Sequence, residues 1–254
     1  EGWGADFTGT SFTGVLDGNG HIIQNVTMDL PDTDCVGLFG LLGESAEIRN
    51  LGVENVNIQG DYGVGTLCGA NYEGTIFACS ATGNISGVDY VGGLCGQNNG
   101  AIVNSYATAS ITGYDYVGGL SGESGSGQFH GTLLDSYAAS EVTGHNYVGG
   151  VCGRTLLGVA MNIFWNIDMC PVDNGVGTPL TTEQMRTKST FTDAGWVFAD
   201  YQTGSRGWYM PAGNYPLLYW QNSNAKSIPD ITGMTPLQAQ SEVTGSGFTV
   251  DDIL

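Results

Sequence analysis

Two carboxylates and three tyrosines stand at matching places along this chain, and they are the residues whose spacing could do chemistry. Asp89 and Asp115 each precede a tyrosine that opens a glycine-rich box: Tyr90 to Gly96 reads YVGGLCG and Tyr116 to Gly122 reads YVGGLSG. Tyr147 opens a third copy, YVGGVCG. Stacked one above the other, Asp89 and Asp115 are the candidate metal site, two oxygen donors that a calcium ion could bridge. Their repulsion in water is only about 1 kcal/mol, which solvent tolerates, so the pair reads first as exposed turn aspartates with no cation. Tyr90, Tyr116 and Tyr147, extended by Tyr106 and Tyr137 of the following strand, are the candidate ligand-binding strip. Such a strip stacks on sugar rings or a partner chain, or its rings shield one corner by packing on each other. Phe129 is a further candidate, carried on the insertion Glu123 to Gly131 (ESGSGQFHG), because insertions in repeat arrays are displayed on one face. His130 beside it has no nucleophile placed next to it by a motif.

These residues do not assemble into a familiar catalytic set. Glycoside hydrolysis would need two carboxylates about 5 to 9.5 Å apart across a groove, and Asp89 with Asp115 is the pair that falls on adjacent repeats. A polysaccharide lyase would need a cation or a basic side chain to neutralise the substrate carboxylate. Arg49 is the only basic residue before Arg154, so lyase chemistry here would depend on calcium. No residue is therefore assigned as catalytic.

The elements that must position these side chains are visible as repeats. Weaker copies of the box, Val36 to Gly40 and Val64 to Gly69, precede the three strong ones. The closing glycines, Gly40, Gly69, Gly96, Gly122 and Gly153, are spaced by 29, 27, 26 and 31 residues. A second box recurs as Ile48 to Gly60, Ile76 to Gly87, Ile102 to Gly113 and Leu133 to Gly144, with Val159 to Cys170 as a fifth. Alternating apolar and small residues broken by Gly, Asn and Ser give short strands rather than helix. A unit of this length buries its apolar face only by stacking on its neighbours, which predicts a parallel β-helix with strands about 4.8 Å apart. Counting back from each box valine places Asp34, Tyr62, Asp89, Asp115 and Asn146 in one ladder, and Cys35, Gly63, Tyr90, Tyr116 and Tyr147 in the next. Val91, Leu94, Val117, Leu120, Val148 and Val151 are expected to point into the coil.

The boxes resemble the GLUG-motif repeats of bacterial surface proteins, whose Gly-Leu-any-Gly core appears at Gly37 to Gly40, Gly93 to Gly96 and Gly119 to Gly122. The resemblance covers residues 7 to 170 and implies a right-handed parallel β-helix on an exported protein, without implying a reaction. From Pro171 the period is lost. Thr181 and Gln184 have capping-box spacing and predict a short helix within Leu180 to Ser189. The aromatics Phe191, Trp196, Phe198, Trp208, Tyr215 and Trp220 resemble a tail that closes such arrays by covering the open edge of the last coil. Ile228 to Val250 resembles the first half of a PASTA module. The expected organisation is residues 1–170 as the solenoid, 171–227 as an aromatic-rich cap, and 228–254 as a partial PASTA-like tail.

Composition bounds the partners. Forty-two glycines among 254 residues suit tight bends, and 25 acidic against 6 basic residues give a formal charge of −19, which repels nucleic acid and anionic membrane. No apolar run is long enough to span a bilayer. The chain starts at Glu1 with no initiator methionine, as a mature or excised piece of an exported protein would. Cys68, Cys95 and Cys152 share one place in the box, filled by Ser121 in the copy between. They are either a column of buried thiols or partners in disulfides among six cysteines. The Asp17-Gly18-Asn19-Gly20 segment is turn chemistry before it is a calcium loop. Together these features point to a non-enzymatic extracellular or cell-surface repeat protein, structural or adhesive, that self-associates or contacts another surface protein or a glycan. A parallel β-helix enzyme acting on polysaccharide is the alternative, and a flat threonine array for ice, built on Thr82, Thr108 and Thr112, is a third.

Overall fold

A short strand with one apolar face has nothing to bury it against within its own coil except the other strands of that coil and the coils above and below. In the computed structural model, which describes residues 9–198 and 207–221, that constraint is met by three parallel sheets wrapped around one apolar interior. A representative coil runs Cys95–Val103 on the first sheet, Tyr106–Thr112 on the second and Asp115–Gly118 on the third. The first sheet begins at Val15–Asp17 and ends at Cys152–Thr155 and Gly158–Met161. The third, four strands from Tyr62–Val64 to Asn146–Gly149, is the narrowest. All three sheets pair their strands in parallel, as expected of the β-helix.

The interior is built from columns of like residues. Ile48, Ile76, Ile102 and Leu133 stand in register on the first sheet, and Val64, Val91 and Val117 on the third, all fully buried. Leu67, Leu94, Leu120 and Val151 complete the interior between them. Each such side chain contributes roughly 1.5–3 kcal/mol by leaving water. Two expectations shift here. Val148 is only half-buried, because its strand is the last of the third sheet among the described residues. The fifth copy of the second box is in register from Ala160, which pairs with Leu133, while Val159 falls opposite Thr132 and is exposed.

The thiols are a column. Cys68, Cys95, Ser121 and Cys152 align strand to strand, and all six cysteines are free and buried. Cys68 Sγ and Cys95 Sγ lie 3.4 Å apart, the contact of stacked side chains and not of a bond.

The aromatic segment does not cover the open edge of the last coil. It runs along the flank of the second sheet, back towards the start of the solenoid. Phe164, Trp196 and Phe191 pack at one end. Trp208 packs against Tyr106 and Tyr137 in the middle. At the other end Trp220 donates from Nε1 to the Ala78 carbonyl and Tyr219 reaches Asn50. The physical reason is that Tyr106, Tyr137 and Phe164 point outward from the second sheet as a row of large apolar groups, which need a cover along their whole length. The edge strand Gly158–Met161 stays exposed among the described residues. Thr181 and Gln184 do form a capping box, with Gln184 N–H donating to Thr181 Oγ1 at 3.3 Å and Thr181 N–H to Gln184 Oε1 at 2.8 Å. It starts the helix Thr182–Met185, and a second short helix follows at Lys188–Thr192. Before them Thr178–Leu180 adds one more parallel strand to Phe164–Asn166. The PASTA-like stretch 228–254 lies outside the described residues.

Candidate functional site

The rung before each box valine imposes a backbone that glycine prefers. Cys35, Gly63, Tyr90, Tyr116 and Tyr147 all have left-handed φ, at 56°, 68°, 57°, 58° and 51°. The cause is close packing where the third sheet turns into the first. A Cβ on Gly122 would lie 2.5 Å from the Tyr116 carbonyl oxygen and 2.6 Å from the Tyr90 carbonyl carbon, so the box glycine and this rung are pressed backbone to backbone. A non-glycine residue held there costs on the order of 1–2 kcal/mol. Gly63 shows that glycine fits the rung, yet three successive coils place tyrosine on it.

Those tyrosines form one stack. Tyr90 and Tyr116 have ring centroids 4.6 Å apart with planes 3° from parallel, and Tyr116 and Tyr147 repeat the geometry at 4.7 Å and 3°. Exposure rises along the stack to Tyr147, which is 51% exposed. Burial, reinforced by the Glu123 charge, pushes the Tyr90 hydroxyl up to about 12. Tyr106 and Tyr137 are not part of this strip. They stack on each other at 4.9 Å, but under the aromatic flank, almost fully buried. Spacing alone could not separate the two tyrosine columns, because both recur once per coil.

An ion pair between a buried carboxylate and a half-buried guanidinium underlies the strip. Glu123 and Arg154 follow the closing glycines of consecutive boxes and are paired across the first sheet. Arg154 Nε donates to Glu123 Oε1 at 2.8 Å, and its Nη2 reaches the same oxygen. The guanidinium lies over Tyr116, 4.3 Å from the ring centroid, and over Tyr147 at 5.2 Å. Glu123 is the one charged side chain fully buried among the described residues. Burial raises its carboxyl above the ordinary range, against the pull of Arg154. Neither residue was singled out by sequence reasoning, although both sit at the same offset from their box glycine.

The aspartate ladder exists as counted. Asp89 pairs with Asp115 and Asp115 with Asn146 on neighbouring strands. Each carboxylate is met by the coil above: Asp115 N–H donates to Asp89 Oδ1 at 3.1 Å, and Asn146 Nδ2 to Asp115 Oδ1 at 2.9 Å. Burial raises the Asp89 carboxyl, partly offset by that Asp115 N–H, with the Asp115 charge adding to the rise. Among the described residues no group of three His, Cys, Asp or Glu converges as a metal cluster would require. Asp17 accepts from Asn19 N–H, Arg49 and Asn50, the hydrogen bonds of a turn tied to the next coil.

One residue before the ladder lies a column that sequence reasoning missed. Tyr114 and His145 stack at 4.8 Å with planes 5° apart, and both are exposed. They occupy the offset of Asp61 and Val88 in the earlier coils, so counting one place further back would have found them. Phe129 is elsewhere. Its loop is tied to the first sheet through Gly125 N–H to Asn98 and Ser126 N–H to Asn99, and its ring packs edge-on against Tyr72 at 4.5 Å. Thr82 and Thr108 are in register, whereas Thr112 stands in a separate column between Ser86 and Thr143, so the three do not form one threonine row.

Comparison with known proteins agrees with this architecture. Residues 87–112, one full coil, match the family model of the GLUG motif. A stretch of 93 residues, 37% of the chain, is 41% identical to halomucin of Haloquadratum walsbyi, and the match spans about 1% of that protein's length. A crystal structure from Bacteroides ovatus, described as that of a candidate immunoglobulin A1 protease, superposes with a TM-score of 0.56 over 80% of this chain and 76% of that one. Its 18% identity makes it a likeness of fold alone.

Proposed function

We propose that this chain is a non-enzymatic segment of an extracellular or cell-surface repeat protein, a stiff acidic stem that presents side chains in ladders. The observation that carries the reading is that the carboxylates are tied to their own counterparts one coil away: Asp89 by Asp115 N–H, Asp115 by Asn146, and Glu123 by Arg154. Such pairing builds a rod from repeated units, in which stability is a sum over coils and interfaces. It leaves these carboxylates engaged with structural partners, not poised across a groove for acid–base work. The coil-length match to the GLUG motif and the identity to halomucin support the surface role. The test is incubation of the chain with pectin, alginate, xylan and peptidoglycan, following reducing ends and unsaturated products. No turnover is expected. Turnover abolished by Asp89→Asn, Asp115→Asn or Glu123→Gln would overturn the proposal and make those residues a catalytic site.

A further inference from the structure

We infer that the corner formed by the last two coils of the third sheet is a binding site for an uncharged oligosaccharide, with a pyranose ring stacking on Tyr147 and the exposed rim of Tyr114 meeting the rest of the sugar. The inference rests on the non-enzymatic reading and assigns it a ligand class. Three observations converge on this corner. Two aromatic columns, Tyr114 with His145 and Tyr116 with Tyr147, sit on the same pair of coils, each with nearly parallel rings. Between them in the chain runs the Asp115–Asn146 rung, whose hydrogen bond leaves Asn146 a second amide N–H and its carbonyl, and leaves Asp115 further lone pairs. Tyr114 and Tyr147 are 55% and 51% exposed, although aromatic rings of this size usually bury most of their surface.

The backbone adds a fourth observation. Tyr147 occupies a rung at φ 51° that Gly63 fills without a side chain, and as the last ring of its stack it has a tyrosine on one side only. A side chain retained against backbone preference, and ending on an exposed ring, is placed for contact with something outside the chain.

Charge and polarity select the ligand. Arg154, the cation at this corner, is committed to Glu123 and lies against the Tyr116 and Tyr147 rings, so it does not stand free to meet a uronate or a sulfate. The chain carries a formal charge of −19, which repels polyanions at long range. A protein partner would be favoured by a continuous dry patch, whereas here the two aromatic columns are separated along the chain by the carboxylate and amide of the Asp115–Asn146 rung. Apolar faces separated by hydrogen-bonding edges match the surface of a neutral sugar ring.

The test is calorimetric titration of the whole chain with cellohexaose, chitohexaose and laminarihexaose, with polygalacturonate as the anionic control, and chromatography of each mixture afterwards. Binding of at least one neutral hexaose is expected, weakened at least about tenfold by Tyr147→Gly and by Tyr114→Ala. Polygalacturonate should not bind. Tyr147→Gly is chosen because glycine accepts the left-handed rung, so its melting point should stay close to that of the parent while binding is lost. Absence of binding to all three neutral probes, or binding unchanged in both variants, overturns this inference and leaves the non-enzymatic reading standing. Cleaved probe in the chromatogram overturns the non-enzymatic reading instead, whether or not the corner binds.

Discussion

Asn71 donates from Nδ2 to Oδ1 of Asn98 over 2.9 Å, inside the solenoid and from one coil to the next. Asn71 also closes its own turn, taking the Gly74 N–H at 3.0 Å and giving to the Gly74 carbonyl at 3.1 Å, while Asn98 passes the ladder on to Ser124 Oγ at 3.3 Å. All three side chains are buried. A buried polar ladder is stabilising only when every member is satisfied, and each group orphaned costs about 1–3 kcal/mol. Asn98→Leu removes one of the two acceptors of the Asn71 amide and the donor to Ser124, and should lower the urea midpoint by an amount in that range. Asn71→Leu should cost more, since it also opens the turn at Gly74. Unchanged midpoints would show that the ladder contributes nothing.

Glu123 and Arg154 give a pH signature with a definite sign. Burial raises the folded-state carboxyl above its ordinary value of 4.5, so the folded chain holds this proton more tightly than the unfolded chain. The resulting stabilisation is fully present below the unfolded value and is lost as pH rises through the folded one. Glu123→Gln lacks a titrating group there and cannot lose it. The difference in melting temperature between variant and parent should therefore move in favour of the variant as pH is raised from 4 towards neutrality. A difference that is flat, or that moves the other way, would mean that Arg154 outweighs burial.

The cysteines should be silent until the chain unfolds. Burial pushes the thiols of Cys79 and Cys152 up to about 12 and that of Cys35 up to about 11, so thiolate is scarce at neutral pH in addition to being enclosed. Titration with a thiol-specific chromogen should show no prompt reaction with the native chain and six equivalents after denaturation, one per cysteine. Prompt native reaction of Cys68, Cys95 or Cys152 would contradict the buried column.

The architecture was legible because a solenoid writes its period directly into the chain. Counting back from the box valine found Asp89 above Tyr62 and below Asp115, and the structure pairs the same residues. Offsets fix which residues share a rung, but not which side of the wall a side chain takes or what leans against it. That is why Tyr106 and Tyr137 were grouped with Tyr116: the flank that buries them comes from residues 164–221, far along the chain. It is also why the Glu123–Arg154 pair was missed, since Gln97 and Ala70 fill the same rung in earlier coils and disguise it as ordinary polar surface. The aromatic segment was recognised as a cover, but its placement depended on the outward row of Tyr106, Tyr137 and Phe164, which only the folded sheet reveals.

The flank itself leads to the last prediction. In a linear stack each coil touches only its neighbours, so the first coils should fray independently of the rest. Trp220 changes that connectivity. Its Nε1 donates to Ala78 at 3.0 Å, a Cβ on Gly52 would meet its ring at 3.1 Å, and one on Gly20 would meet its own Cβ at 3.3 Å. Tyr219 reaches Asn50 and Gln221 reaches Tyr106, so one short segment bridges coils that do not touch each other. Trp220→Ala should cost on the order of 2 kcal/mol in lost apolar contact. Its more diagnostic effect is spatial. Amide exchange should quicken at Gly18, Gly20 and Gly52, whose N–H groups bond to neighbouring coils near the start of the solenoid, while Leu120 N–H, 2.7 Å from the Val151 carbonyl at the far end, should keep its protection. Equal acceleration at both ends would mean that the solenoid opens as one cooperative unit, and no acceleration at the start would mean that the bridge is passive.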